Sequence, residues 1–129
     1  MIKITNILIP FRGFIALTVW PFVFVRKDME DKYDRIADNH EAIHGEQQKE
    51  MLAVGGILAG ILGMVTMSWW CLALAPAYIL WYLMEWMLRA VFGGRHPYKN
   101  ISFEREAYDN ERDMLYLDYR TPFRWMKYL

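Results

Sequence analysis

With 129 residues, 55% of them hydrophobic and 16% aromatic, the chain has room for one small domain and the apolar content of a partly membrane-embedded protein. Fifteen basic residues balance fifteen acidic ones, so no field of one sign points to nucleic acid or to an acidic substrate. A single cysteine, Cys71, excludes an internal disulfide and with it an oxidised secreted scaffold.

Taken from the first residue, Ile2, Ile4 and Ile7-Leu8-Ile9 lead into Pro10-Phe11-Arg12-Gly13, a turn signal. Phe14 to Val25 is rich in β-branched and aromatic residues, with Pro21 inside it. Two strands joined by a turn are expected over residues 1–28, the proline lying at an edge or a bulge. A signal peptide fits poorly, because Arg26-Lys27-Asp28 closes the run where a small-residue cleavage site would stand.

Residues 30–50 are polar and suited to a helix. They contain His40-Glu41-Ala42-Ile43-His44, the His-Glu-x-x-His pattern. Residues four apart on a helix share a face, so both imidazoles can reach one metal ion. Glu41 beside them is placed to take a proton from a metal-activated water. Two of the chain's three histidines fall at this spacing around a glutamate. Zinc is the expected ion. The overlapping Glu41-x-x-His44 is also the unit of di-iron helical bundles, but the residues before His96 offer no second copy.

From Met51 to Phe92 the only charged residues are Glu85 and Arg89. As one helix this stretch would run ~63 Å, about twice a bilayer core, so it reads as a transmembrane hairpin with passes near 47–67 and 70–92. Seven basic residues precede it and seven follow Phe92, which places both termini on the cytoplasmic side. Gly56, Ala59, Gly60 and Gly63 put small residues at close-packing spacing, against the second pass or a second copy in a homodimer. Pro76 either kinks the second pass or marks its first turn. Glu85 and Arg89 stand in the order that favours an intrahelical ion pair, with a structural, snorkelling role preferred to a functional one.

A further helix is expected over 100–120. Because the hairpin returns the chain to its starting side, Glu104 can come back beside His40 and His44 as the third ligand, with Ala107 small enough for close approach. Glu106, on another face of the same helix, is the alternative. The expected fold is α+β, mostly α: a strand hairpin, the active-site helix, the membrane hairpin, then the Glu104 helix, all in one domain.

In His40-Glu41-x-x-His44 with Glu104-x-x-Ala107 the chain resembles the gluzincin type of zincin metallopeptidase. In membrane gluzincins such as the CAAX prenyl proteases, a Glu-x-x-Ala-Asp helix supplies the third ligand. Tyr108 stands here where that pattern has aspartate. The layout also resembles short bacterial membrane proteins with an Asn-His-Glu-x-Ile-His motif and a Phe-Glu-Arg-Glu-Ala-Tyr segment. The resemblance implies a zinc-dependent hydrolase of peptide bonds at the cytoplasmic face of a bacterial inner membrane. Its partners would be the lipid bilayer and a peptide or protein substrate, held in extended form along an edge strand within Phe14–Val25. A non-enzymatic membrane protein with a structural or sensory metal site is the alternative; His96 reaching the metal as a fourth ligand would favour it.

Around this core stand residues open to a supporting role. Asn39 could orient a ligand or cap a helix, and Gln47 and Gln48 lie within a turn of His44. His96, Tyr98 and Tyr108 are candidates to stabilise a tetrahedral intermediate. Glu111, on the Glu104 face, is placed to hold a ligating histidine by its ring nitrogen. The closing Phe123–Leu129 segment is expected at the membrane interface.

Overall fold

The computed structural model describes residues 1–11, 13–92 and 96–129. Most of the chain is helical, with a small sheet at the N-terminal end. Three strands form, one more than expected: β1 (Ile2–Asn6), β2 (Ala16–Val19) and β3 (Phe22–Arg26), in the order β1-β3-β2. Pro21 accounts for the difference. Lacking an N–H it cannot sit inside a ladder, so it breaks Phe14–Val25 into two strands rather than bulging one. β2 and β3 pair antiparallel across the break, Thr18 opposite Val23, while β1 adds to β3 in parallel. In β3 the period of two is kept, with Val23 and Val25 buried and Phe22 and Phe24 less so. Of the turn signal at 10–13, Arg12 lies outside the described residues, as do the Gly93-Gly94-Arg95 positions that precede His96.

Helix α1 (Arg35–Thr66) is continuous from the expected active-site helix into the apolar stretch. Asp34 caps it, accepting from the N–H groups of Ile36 and Ala37 at 3.0 and 2.9 Å. It is long and apolar enough to cross a membrane. Beyond Met51 its large side chains, among them Ile57, Leu58, Ile61, Met64 and Val65, are exposed.

The chain reverses at Met67, in the left-handed region at φ 52°. The second expected helix, 70–92, forms only in part: Trp69–Leu74 is a 3-10 turn laid back along α1, and α2 spans Ala77–Phe92. Pro76 sits at the start of α2, its carbonyl accepting from Leu80 N–H at 3.2 Å, and so marks the first turn rather than a kink. The close approach within the hairpin falls on Gly55 and on buried Ala59. A Cβ on Gly55 would lie 2.9 Å from Ala75 O, closer still to Leu74 O, and 3.0 Å from Ala77 Cβ. Gly56 and Gly60 face open space and Gly63 nearly so, which corrects their expected part in packing against the second pass.

The expected helix over 100–120 is two shorter ones, α3 (Ser102–Asn110) and α4 (Tyr116–Tyr119). Glu85 fixes where α3 begins. Its carboxylate accepts from Ser102 N–H at 2.8 Å and Ser102 Oγ at 2.6 Å, while Arg89 holds it from the next turn of α2 at 2.9 Å. Its charge is turned inward rather than snorkelling, satisfying donors that the helix start would otherwise leave unpaired. Two apolar clusters weld the helices together. Met51, Ile101, Phe103 and Trp125 form one, with Ala77 and Trp81 against it; Ile43, Ala107 and Tyr116 form the other. Of the closing segment only Trp125 enters the core, while Phe123, Met126 and Leu129 stay exposed.

Candidate metal centre

The polar half of α1, before its apolar stretch begins at Met51, presents three faces. Glu41 and Gln48 turn toward β2, Ile43 and Gln47 toward α3, and His40 and His44 into the space that α2 and α3 close. α3 runs antiparallel to α1, with Phe103 beside Gln47 and Glu111 beside His40. Ala107, fully buried against Ile43, lets the two helices approach. Glu104 is thereby brought beside both histidines: His40 Nε2 and His44 Nε2 are each 3.6 Å from one of its carboxylate oxygens. The two Nε2 atoms are 3.1 Å apart.

The two 3.6 Å distances run to different oxygens, and one donor atom from each residue lies within 4.8 Å of the others, near the spacing a single metal ion requires. Two donors held about 2.05 Å from one tetrahedral ion lie about 3.3 Å from each other. The arrangement also leaves Glu104 Oε2 buried with no hydrogen-bond partner, although Tyr82 donates to Oε1 at 3.1 Å.

Both histidines are aimed from behind. Glu111 Oε2 lies 2.9 Å from His40 Nδ1, and Gln47 Oε1 lies 2.8 Å from His44 Nδ1. A carboxylate only accepts, so His40 carries its proton on Nδ1. Gln47 gives its Nε2 protons to Phe103 O at 3.0 Å and Glu106 Oε2 at 2.9 Å, so its oxygen faces His44 and makes Nδ1 the donor there too. Both Nε2 lone pairs then point at one another, an unfavourable pairing unless a cation lies between them. Without metal that cation is a proton. Burial disfavours it on His44, but Glu104 and the other acceptors around the ring outweigh burial and raise the pKa of His44 to about 9. Glu104 answers in the opposite sense: burial pushes its carboxyl up, and the two histidines hold it well below the usual carboxylate range.

Glu41 is nearly buried, and Thr18 Oγ1 of β2 donates to its Oε2 at 2.7 Å. Gln48 clamps the same strand, donating to Thr18 O and accepting from Trp20 N–H, both at 2.7 Å. Arg26 N–H donates to Ile15 O at 3.0 Å, so residues 15, 17 and 19 face β3 and residues 16, 18 and 20 turn outward. β2 is therefore an edge strand whose outward groups run beside Glu41.

Of the other expected residues, Asn39 is a cap: its Nδ2 donates to Glu111 O at 2.9 Å and Asp113 O at 3.0 Å, closing the end of α3 and placing Glu111. Tyr108 packs its ring against His40, centroids 4.7 Å apart. Glu106 is fully buried and committed to Gln47, Tyr116 and Arg120, so it does not join the ligand group. His96 is exposed and stands outside that group as well. Tyr98 touches Tyr82 and Phe14 by its ring, and burial together with the Glu104 charge raises its phenol, keeping it a donor.

Thr18, Tyr78 and Tyr82 escape the sequence reading. Tyr78 and Tyr82 lie one turn apart on α2, the first with its hydroxyl 3.4 Å from His44 Nδ1. The available signal is a pair of polar tips one turn apart on one face of a helix whose first two turns are otherwise apolar. Comparison with protein-family models, with curated proteins and with solved structures finds no match.

Proposed function

We propose that this chain is a membrane-bound zinc-dependent peptidase. The supporting observation is the facing pair of Nε2 atoms, 3.1 Å apart, beside a buried carboxylate oxygen without a partner. Three groups with these chemistries form a zinc ligand set: His40, His44 and Glu104. The set has three members among the described residues, which leaves a coordination position open and favours a catalytic site over a closed structural or sensory one. Zinc bound there would lower the pKa of a water toward neutrality and polarise a substrate carbonyl. Glu41 serves as the base that receives the water's proton and then passes it to the leaving amine. Thr18 holds the Glu41 carboxylate in place by the hydroxyl bond it donates. Tyr82 and Tyr98 line the Glu104 side, where a hydroxyl donor can stabilise charge developing on the carbonyl oxygen.

The outer edge of β2 holds the substrate backbone. Gln48 already uses Thr18 O and Trp20 N–H, so the Ala16 N–H and C=O and the Thr18 N–H are the groups left to pair with an extended peptide. The apolar half of α1 and the returning segment insert in the bilayer, with Trp69 and Trp70 exposed at the tip and the apolar outer face of α2 against lipid. The balance of basic residues on both flanks sets the site on the cytoplasmic side, as in a bacterial inner membrane.

Elemental analysis of the detergent-purified protein tests the reading first: one zinc per chain is expected, and none after His44→Ala. Glu41→Gln is expected to keep the metal and to lower hydrolysis of a mixed fluorogenic peptide library by about 10²–10⁴-fold. A metal-free wild-type protein, or a Glu41→Gln variant as active as wild type, would refute it.

A further inference from the structure

Behind His44, away from Glu104, a line of buried polar groups leads out to the C-terminal segment. Arg120, just past α4, has its side chain only 4% exposed. Its Nε donates to Glu106 Oε1 at 2.6 Å and its Nη2 to Glu106 Oε2 at 3.2 Å, while Nη1 pairs with Glu50 of α1. Tyr116 adds a hydroxyl bond to Glu106 Oε1 at 2.8 Å. Glu106 and Gln47 are both wholly buried, and the bond between them continues the line to His44.

An amide has two faces, and the choice between them matters here. With its oxygen toward His44, Gln47 holds the ring proton on Nδ1 and leaves Nε2 free to bind. With its NH₂ toward His44, it takes the Nδ1 lone pair and forces the proton onto Nε2, where it excludes a metal. Two acceptors hold the amide in the first orientation, Phe103 O and Glu106. Glu106 in turn is balanced in its buried place by the guanidinium of Arg120, whose fork meets both of its oxygens.

We infer that Arg120 and Glu106, acting through Gln47, set the tautomer and aim of His44, so that the C-terminal segment governs how tightly the site holds its metal. The inference rests on the zinc reading above. It makes Arg120, Glu106 and Gln47 positioning residues.

The test titrates the full chain in detergent micelles with cobalt(II), read by its visible absorption, and then displaces cobalt with zinc. Wild type should bind one equivalent. Glu106→Gln sets two amides side by side, lets Gln47 turn over, and should weaken binding about 10–100-fold, the usual loss when a ligand's hydrogen-bond partner is removed. If Glu106 acts through Gln47 the two losses are not additive: Gln47→Ala should weaken binding by a similar factor, and Gln47→Ala/Glu106→Gln should bind no more weakly than Gln47→Ala alone. A folded Glu106→Gln that binds cobalt as tightly as wild type overturns the inference, whatever its thermal midpoint. A folded double variant that binds several-fold more weakly than Gln47→Ala overturns it also, and so does a folded Gln47→Ala that binds as tightly as wild type, which carries the test alone should Glu106→Gln not fold. If wild type binds neither ion, the zinc reading itself fails and this inference falls with it.

Discussion

Replacing Gly55 and its neighbour Gly56 by alanine, one at a time, isolates the contact that closes the hairpin. Both lie inside α1, and each alanine gains about the same helix propensity, up to about 1 kcal/mol. Their surroundings differ. A Cβ on Gly56 meets nothing within 4 Å, whereas one on Gly55 meets Ala75 O at 2.9 Å and Ala77 Cβ at 3.0 Å, with Leu74 O nearer still. Two of those atoms are backbone, and the segment that carries them cannot yield without lifting away from α1. Overpacking of this kind costs about 1–3 kcal/mol, so the two variants should differ by that amount while propensity cancels. Gly56→Ala should equal or slightly exceed wild type in stability, and Gly55→Ala should fall below it. Unfolding in mixed micelles, followed by near-ultraviolet circular dichroism of the packed Trp81–Trp125 pair, measures the difference. Because Ala77 opens α2, the loss should also reach the metal centre through Tyr78 and Tyr82. Equal midpoints for the two variants would refute the close approach at Gly55, and with it the path by which the chain returns to the site.

Other consequences follow from the same packing. Glu85→Ala removes the acceptor for Ser102 N–H and Oγ at the head of α3; it should cost about 1–3 kcal/mol in unfolding experiments and weaken cobalt binding, since Glu104 stands in the first turn of that helix. Thr18→Val deletes the hydroxyl bond to Glu41 and should lower peptide turnover about tenfold or more, as a bond to a charged group implies, while leaving bound zinc at one equivalent. In metal-free protein the raised His44 contributes stability that is complete below its ordinary pKa near 6.5 and is lost as pH rises through about 9. The depressed Glu104 contributes stability present above its ordinary value near 4.5 and lost as pH falls. Metal-free stability should therefore peak between those ordinary values, and zinc, which displaces the His44 proton, should bind more tightly as pH rises toward 9; pH-independent affinity would contradict the His44–Glu104 pairing.

Much of the site is legible because its chemistry is local. His40, Glu41 and His44 are fixed by helical spacing alone, and Glu104 follows from topology, since an apolar hairpin must bring the chain back. Glu111 is readable by its seven-residue offset from Glu104, two turns along one face. Thr18 is not readable, because nothing in a short strand says which helix residue its alternate face will meet. Tyr78 and Tyr82 are hidden by the apolarity of their helix, which reads as lipid-facing until α3 is packed against it. Glu106 looks like a spare ligand until Arg120 is placed, and that contact crosses a loop whose course no periodicity announces. In the fold, Pro21 carried the information for a third strand, but its reading as an edge proline was equally consistent with the composition. The glycines misled in a different way: spacing picks out the face carrying Gly56 and Gly60, while contact falls on Gly55, because the return is a 3-10 turn rather than a second straight helix.

The continuity of α1 constrains what the proposed enzyme can reach. Two of the three proposed ligands, His40 and His44, share one unbroken helix with its apolar half, so that side of the centre cannot move independently of the proposed anchor. His44 precedes Met51 by seven residues, about 10 Å along the axis at 1.5 Å per residue. The headgroup zone on each side of a bilayer is about 5–8 Å deep, the difference between its full thickness and its hydrocarbon core shared over two leaflets. On the proposed insertion the metal therefore sits about 10 Å beyond the hydrocarbon edge, a little outside the headgroups. The scissile bond must come to that height, in an extended segment able to pair with Ala16 and Thr18. A peptide bond buried at the bilayer midplane lies about 15 Å below the hydrocarbon edge and out of reach. The tail of a membrane-anchored peptide within a few residues of its lipid or helix anchor satisfies both conditions. A set of synthetic peptides carrying one acyl chain, with the chain moved stepwise along the sequence, would measure this: cleavage should follow the distance from the acyl anchor, and cleavage at a fixed sequence wherever the anchor stands would refute it.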